Sequence, residues 1–413
     1  MGLLHALNLK KEGRIVERWQ YDCKSHLLCG PSIADLYNDG HESVIIGTKK
    51  GTIILLDQNA NPKWEYKVAE KIDAVEMMFL DTESVNSILT PPSTFDIDGD
   101  GKKEILFGTQ LGTLYVLNAE GKLLWKYSTG SAIRGGVACA DINNDGKIEI
   151  IFGSDDKKLY VLTNKGRVLF THTIGTGIQS TPTISLRHKA ILFGDDDGKF
   201  NSLSFDKKLN WSYQTGAKII GQAWVGKLFG DDQECCVFGS TDNALYVLDM
   251  QGSLKWTYKT LGSILSRPAV MDIDNDGMPE VLITSCDNSI YVLSQNGDKI
   301  WSYETDFWIG ADPLIMDIDD DGNNEVVIGS YDHNIYVFNG EGSYVLEHIP
   351  GLSNIIHQAG HYADVQTQDA GENVGKKIWQ FGVPDIILGI CALKKNIIVG
   401  IKTGKIICLS HTR

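Results

Sequence analysis

The chain is punctuated by short apolar runs rich in Val, Ile and Leu, each cut off by glycine, asparagine or aspartate. Runs this short and β-branched predict strands, and the polar breaks between them predict tight turns. The most regular run closes on an apolar residue followed by glycine: Ile46-Gly47, Phe107-Gly108, Phe152-Gly153, Phe193-Gly194, Phe238-Gly239, Ile328-Gly329 and Val399-Gly400, with Ile283-Thr284 in the same frame. From Gly108 to Gly329 the steps are 45, 41, 45, 45 and 45 residues. A period near this value means propeller blades or helical solenoid pairs, and runs this short exclude the helices.

Residues 131–175 display one unit. GGVACADI predicts an inner strand and Glu149–Gly153 a second; KLYVLTN follows a turn at Asp155–Lys158, and Arg167–Thr171 closes the unit. Four strands per repeat is the blade of a β-propeller, and eight second strands predict an all-β, eight-bladed ring formed by a single domain over 1–413. The C-terminal stretch IILGICALKKNIIVGIKTGKIICLS supplies three strands of a last blade and the N-terminal GRIVERWQY a fourth, so both ends would close the ring and remove its free sheet edges. Leu3–Leu7 is a further strand-like segment near that seam, and longer spacings predict insertions near 70–88 and 351–380.

Four units carry an acidic phrase between the first and second strands: DIDGDGKKE, DINNDGKIE, DIDNDGMPE and DIDDDGNNE. Calcium takes six to eight oxygens, and alternate acids in a tight loop can wrap it. The candidate ligands are Asp96, Asp98, Asp100, Glu104 and the Lys102 carbonyl; Asp141, Asn143, Asp145, Glu149 and the Lys147 carbonyl; Asp272, Asp274, Asp276, Glu280 and the Met278 carbonyl; and Asp317, Asp319, Asp321, Glu325 and the Asn323 carbonyl. Gly101, Gly146, Gly277 and Gly322 allow the bend. The acid at position 9, followed by a strand, separates these loops from an EF-hand, whose Glu falls at position 12 between helices. A metal-free turn whose Asp side chains cap backbone N–H groups is the competing expectation. The copies at Asp35–Glu42 and Gly230–Glu234 are eroded, and 184–190 has no acids, so the fold does not need metal in every blade. With Asn143 in place of an acid, the second loop is expected to bind most weakly.

Charge agrees with this picture. The formal net charge of the 413 residues is −15, and positions 1, 3, 5 and 9 of the four phrases hold fifteen carboxylates. Nucleic-acid binding needs clustered Lys and Arg, and none appears. No apolar run is long enough to span a membrane, so no membrane insertion is expected. The N-terminal sequence does not read as a signal peptide, which favours a cytoplasmic location over an extracellular or cell-surface one. Eight cysteines lack framework spacing, and Cys139, Cys235, Cys236, Cys391 and Cys408 lie in apolar runs. Buried free thiols point to a reducing compartment, whereas calcium loops point outside the cell.

A second recurrent motif is Trp-x-Tyr in the outer strand: Trp19/Tyr21, Trp64/Tyr66, Trp125/Tyr127, Trp211/Tyr213, Trp256/Tyr258 and Trp301/Tyr303, with Phe170 replacing the Trp once. One Trp per blade in register predicts a packing girdle between blades. Trp224, Trp308 and Trp379 lie outside that register and are candidates for exposure. Asp156, Asp197, Asp242, Asp287 and Asp332 recur in the turn between second and third strands, where Asp is a favoured turn residue.

The frame at Gly239–Trp256 resembles the repeat of pyrroloquinoline-quinone-type propellers. The D-x-D-x-DG-x-x-E element resembles the FG-GAP repeat of integrin-α-like propellers, whose loops bind calcium. The resemblance implies the fold over nearly the whole chain and says little about function, because both families include enzymes, scaffolds and adhesion modules. Quinoprotein dehydrogenases carry an adjacent cysteine pair. Cys235-Cys236 is such a pair, but it sits in a predicted second strand and lacks the Asp and Arg that should follow; Val237 and Phe238 stand there. No organic cofactor is therefore expected.

In the 351–380 insertion, His357, His361 and Asp364 could hold zinc on a helix, although a surface loop is the simpler expectation. At the starts of the inner strands, Arg134, Gln179, Gln222, Arg267, Trp308 and Asp312 differ from one another on a regular scaffold, which marks a recognition surface. The expected function is a non-catalytic, calcium-stabilised scaffold, monomeric or within a larger assembly, that recognises a protein, peptide or glycan on the face opposite the acidic loops. The rival expectations are an enzyme using the central funnel, as a quinone-dependent dehydrogenase or a lyase, and a purely structural assembly subunit.

Overall fold

The computed structural model describes residues 13–70, 84–230, 232–346 and 371–412. Eight antiparallel sheets succeed one another along the chain, and no helix occurs among the described residues. Blades 1 to 6 are continuous four-stranded meanders over 32–67, 93–128, 138–173, 183–214, 224–259 and 269–304. Blade 8 joins Ile387–Leu393, Asn396–Ile401 and Lys405–Thr412 to the N-terminal strand Arg14–Asp22, which pairs along Lys405–Thr412. The chain ends therefore close the ring by main-chain hydrogen bonds, as the sequence predicts.

Blade 7 departs from the expectation. Its first three strands are Leu314–Met316, Glu325–Gly329 and Asn334–Asn339, but its fourth is Lys377–Gly382. The chain leaves between third and fourth strands, and Ser343–Leu346 pairs with Gly371–Val374, which joins the outer edge of blade 6 through Ser302 and Val374. The predicted 351–380 insertion thus includes two strands at its described end. His357, His361 and Asp364 lie outside the described residues, as do Leu3–Leu7 and most of the 70–88 segment.

Each blade's outermost and innermost faces pack on its neighbours, and two devices set that packing. The first explains the recurrent apolar–glycine pair. A buried isoleucine at the entry to the next blade rests on the glycine of the second strand: Ile88 on Gly47, Ile133 on Gly108, Ile178 on Gly153, Ile219 on Gly194, Ile264 on Gly239 and Ile387 on Gly329. A methyl group added to any of these glycines would stand 2.1–2.5 Å from the isoleucine Cγ2. Thr284 replaces the glycine once and instead donates to the Ala311 carbonyl at 3.0 Å.

The second device is the tryptophan girdle. Indole N–H groups donate to a carbonyl in the third-to-fourth strand turn of the next blade: Trp19 to Gln58, Trp64 to Ala119, Trp125 to Asn164, Trp211 to Met250, Trp256 to Gln295 and Trp301 to Gly340, at 2.8–3.1 Å. Trp379 corrects the expectation that it lies outside the girdle: it is 8% exposed, sits opposite Val337 as Trp301 sits opposite Val292, and donates to the Gly13 carbonyl at 3.3 Å. The displaced fourth strand hid its register. Trp224 is half-buried on the inner strand of blade 5, and only Trp308 of the three is exposed.

Gly47→Ala is expected to cost about 1–3 kcal/mol through overpacking on Ile88. Combined with Ile88→Ala, the loss should fall short of the sum of the single losses by about 0.5–3 kcal/mol, because the two residues share one contact. Chemical denaturation of the four proteins measures this; strictly additive losses would show that the socket carries no coupling.

Candidate calcium loops and docking face

The four acidic loops share one hydrogen-bond plan. At position 1, one oxygen of Asp96, Asp141, Asp272 and Asp317 accepts from the N–H of Gly101, Gly146, Gly277 and Gly322 at 2.9–3.1 Å. At position 3, Asp98, Asn143, Asp274 and Asp319 accept from the N–H at position 5. At position 5, Asp100, Asp145, Asp276 and Asp321 accept from the N–H of Lys102, Lys147, Met278 and Asn323. At position 9, Glu104, Glu149, Glu280 and Glu325 turn back, and Oε2 accepts from the N–H of Ile97, Ile142, Ile273 and Ile318 at 2.9–3.0 Å. The capping bonds of a metal-free turn are therefore present, and Asp96 and Asp141 use both oxygens, their Oδ1 atoms accepting from the Gly99 and Asp145 N–H groups at 2.7 and 3.2 Å.

Carboxylate oxygens nevertheless converge in three of the loops. Ligand atoms from Asp96, Asp98 and Glu104, from Asp272, Asp274 and Asp276, and from Asp317, Asp319 and Glu325 lie within 4.8 Å of one another. Asp272 Oδ1 and Asp317 Oδ1 are buried without a hydrogen-bond partner. The second loop lacks such a cluster. Asn143 Nδ2 donates to Glu149 Oε1 at 3.3 Å, and the Lys147 ammonium stands 3.7 Å from Asp145 Oδ2. There an amide donor and an exposed ammonium already meet carboxylate oxygens of the loop. Lys102 points elsewhere, to Glu120 Oε1 at 2.7 Å, and Asn323 Oδ1 accepts from Asn275 Nδ2 at 3.1 Å, tying the loops of blades 6 and 7.

Burial dominates the glutamates. Glu104 and Glu280 are 2% and 3% exposed. Desolvation, reinforced by the neighbouring Asp charges and opposed by the Ile97 and Ile273 N–H groups, pushes both carboxyls up to about 7. Burial raises Glu149 and Asp274 as well.

The opposite face carries the blade-to-blade loops and the second-to-third strand turns. Arg134 Nε pairs with Asp155 Oδ2 at 2.7 Å, and Gln179 Nε2 donates to Asp196 Oδ2 at 3.0 Å, each anchored to a turn of its own blade. Arg267 and Asp312 belong to another register: the Arg267 N–H donates to Asp312 Oδ1 at 2.7 Å, as the Gly136 N–H does to Thr181. Asp312 reaches solvent but is hemmed in by protein, and that crowding raises its carboxyl against the Arg267 charge. Gln222 is half-buried. Among the six, contact is shown for Arg267 with Asp312. Trp308 is 50% exposed and stacks on Phe307, 49% exposed, with ring centroids 5.5 Å apart. Leu261 and Leu265, on the preceding blade-to-blade loop, are 89% and 36% exposed. Sequence reasoning missed Phe307 and both leucines; the signal was Leu261 where Gly216 stands one blade earlier, and Phe307 where Gly262 stands one blade earlier.

Two other motifs resolve locally. Asp156, Asp242, Asp287 and Asp332 accept from Tyr160, Tyr246, Tyr291 and Tyr336 hydroxyls and from N–H groups of the incoming loop, so they latch neighbouring blades. Cys235 and Cys236 are buried free thiols on opposite faces of one strand: Cys235 packs between blades 5 and 6, and Cys236 between blades 4 and 5.

A sequence profile for the lambda-carrageenase β-propeller domain matches residues 93–171 and 268–364, less than half of the chain. The chain is a β-propeller. Both matched blocks hold a pair of acidic-loop blades. No curated protein sequence matches. Among solved structures, BamB from Moraxella catarrhalis is similar with a TM-score of 0.65 and 14% identity, over 96% of this chain and 97% of that one. The computationally designed Ika8 protein is similar at 0.65 and 15%, over 94% and 98%. BBS1N, solved in complex with ARL6DN, is similar at 0.53 and 9%, over 97% and 98%. At these identities the likeness concerns the fold.

Raised carboxyls bind their protons more tightly folded than unfolded, so their contribution is present below about 4.5 and is lost as pH rises through about 7. In the presence of chelator, stability should therefore fall over that window, and Glu280→Gln should flatten part of the fall. Urea midpoints between pH 4.5 and 8 measure it; a midpoint rising with pH, equally in both proteins, would overturn this account.

Proposed function

We propose that the chain is a non-catalytic scaffold whose acidic loops hold calcium on one face and whose opposite face docks a protein partner. Phe307 and Trp308, stacked and half exposed on one blade-to-blade loop, with Leu261 and Leu265 exposed on the preceding one, carry the docking reading. Aromatic anchors on a rigid support are what protein interfaces are built around, and the neighbouring Arg267 would supply a polar rim. The BBS1N propeller, solved in complex with ARL6DN, is a precedent for this use of the fold. Calcium would neutralise carboxylates that otherwise repel and would give a partner to the orphaned Asp272 and Asp317 oxygens. The second loop is satisfied by Asn143 and Lys147 and is the poorest candidate.

A second reading, a module that binds or cleaves a polysaccharide, rests on the lambda-carrageenase profile. Release of reducing ends from lambda-carrageenan would support it over the scaffold.

Saturating calcium should raise the melting temperature and chelator should lower it, because a ligand of the folded state alone adds about 2.7 kcal/mol at a hundredfold excess over its Kd. Glu280→Gln should remove part of the increment, whereas Asn143→Ala should leave it unchanged. Melting curves indifferent to calcium would count against the metal reading.

Phe307→Ala with Trp308→Ala should leave the melting temperature within a few degrees and cost a docked protein at least about 2 kcal/mol, roughly thirtyfold in Kd. Pull-down from native lysate, followed by affinity measurement on each protein recovered, tests this. Unchanged affinity for every one of them would sink the docking face.

A further inference from the structure

At five blade junctions the tyrosine of the outer strand packs on a tyrosine in the third strand of the next blade. Tyr66–Tyr115, Tyr127–Tyr160, Tyr213–Tyr246, Tyr258–Tyr291 and Tyr303–Tyr336 have centroids 5.5–6.2 Å apart. The junction of blades 3 and 4 breaks this rule at every position. His172 replaces the outer tyrosine, Asn201 the inner one, Phe170 the girdle tryptophan, and Lys207 the turn glycine. Asp195 stands where Ser154, Ser240, Ser285 and Ser330 stand elsewhere.

Losing two aromatic rings opens a cleft of about 420 Å³, lined by His172, Thr173, Ile174, Asp195, Lys199, Asn201, Leu209, Ser212 and Gln214. Its floor is built. Asp195 is 1% exposed and is held by the N–H groups of Asp197 and Lys199 and by Asn201 Nδ2 at 2.9–3.0 Å. Its walls hold unspent hydrogen-bonding capacity. Among the described residues, the His172 imidazole, the Ser212 hydroxyl and the Lys199 ammonium have no hydrogen-bond partner. Burial lowers the imidazole's proton affinity, which leaves it neutral at pH 7 with one donor and one acceptor. Ile174 and Leu209 add an apolar flank.

From this junction we infer a binding site for one or two units of a saccharide or related polyol. The volume lies within the ordinary range for small-ligand sites, about 300–1,000 Å³. Neutral donors and acceptors around an apolar strip match hydroxyls alternating with C–H faces. A lone ammonium at the rim would also accept a carboxylate or sulfate substituent. The site lies between outer strands, apart from the docking face, and does not rest on the function proposed above.

The ring supplies its own control. Asp197 occupies the turn position whose equivalents accept tyrosine hydroxyls, so the combined variant His172→Tyr, Asn201→Tyr should rebuild the missing pair and fill the cleft. The full chain is titrated with glucose, galactose, mannose, N-acetylglucosamine, glucuronate and myo-inositol up to about 20 mM, by saturation-transfer NMR and calorimetry; a Kd near 1 mM or tighter is expected for at least one. The double variant should bind that probe at least tenfold more weakly while still unfolding in one cooperative transition, the new ring contact offsetting the lost Asn201–Asp195 hydrogen bond, and His172→Ala severalfold more weakly. If the double variant fails to fold, His172→Ala decides. No saturable binding by any probe, or unchanged binding by the folded variants, would identify the cleft as a water-filled gap and overturn the proposal. Partner recovery through Phe307 and Trp308 should be unaffected in either case.

Discussion

At six of the eight blade junctions the ring depends on an isoleucine from one blade entering the space left by a missing side chain on the blade before it. The glycine socket sets how near successive sheets approach, and therefore how many complete the circle. It also pins the loop between blades at a single buried residue. Positions on either side of the pin are released from packing. Arg134, Gln179 and Leu265 each follow such an isoleucine, and they differ completely in chemistry on identical backbone supports. A variable surface on a repeated, rigid frame follows from the socket itself, without any further device.

The tryptophan clasp works from the other end of the blade. Its indole packs against a turn glycine and bonds the adjacent carbonyl, so it fixes the angle between sheets where the socket fixes their spacing. Two sites show the coupling. Where Phe170 replaces the indole, Lys207 replaces the glycine and its ammonium lies 5.2 Å from the ring centroid. Where the hairpin of blade 7 overlies blade 6, Trp301 becomes fully buried while Trp64, Trp125, Trp211 and Trp256 remain partly open.

Blade number, strand order and closure by both termini were legible because they follow from a short period that the apolar–glycine pair repeats. The acidic loops were legible as backbone turns for the same reason, since each carboxylate spacing matches an N–H a fixed distance ahead. Trp379 was not: the detour through Ser343–Leu346 and Gly371–Val374 separates it from the third strand that defines its register. The cleft was not legible either. Phe170 alone reads as a conservative change, and His172, Asp195 and Asn201 read as ordinary polar residues. Their common meaning lies in facing one another across a blade junction, 31 positions apart in the case of Asn201 and Phe170. The distinction between Cys235 and Cys236 was available from strand alternation alone, which sends neighbours to opposite faces.

The blades without a full acid set show what the loops do for the ring. In blade 1, Glu42 abandons its own loop and accepts the Lys394 N–H of blade 8 at 3.0 Å. In blade 5, Glu234 accepts the Ser185 hydroxyl of blade 4 at 2.9 Å, and Arg187 of blade 4 reaches the Asp232 carbonyl. Lys395 of blade 8 pairs with Asp320 at the tip of the blade 7 loop. Where a loop has lost acids, its remaining glutamate bridges to the adjacent blade; in the complete loops the glutamate at position 9 turns inward to its own loop, and bridging is left to other residues such as Asp320 and Asn323. The same end of the barrel is thus ordered in two ways, by contacts between blades and by charge gathered within one loop. The inward arrangement leaves buried glutamates whose protons are held too tightly and, in blades 6 and 7, aspartate oxygens without partners. That arrangement is costly for a turn whose only task is to reverse the chain, since blade 4 reverses it through Leu186–Lys189 with no carboxylate at all. Protonation of the glutamates relieves part of that cost, and the cation proposed above would relieve it further by meeting the partnerless aspartate oxygens.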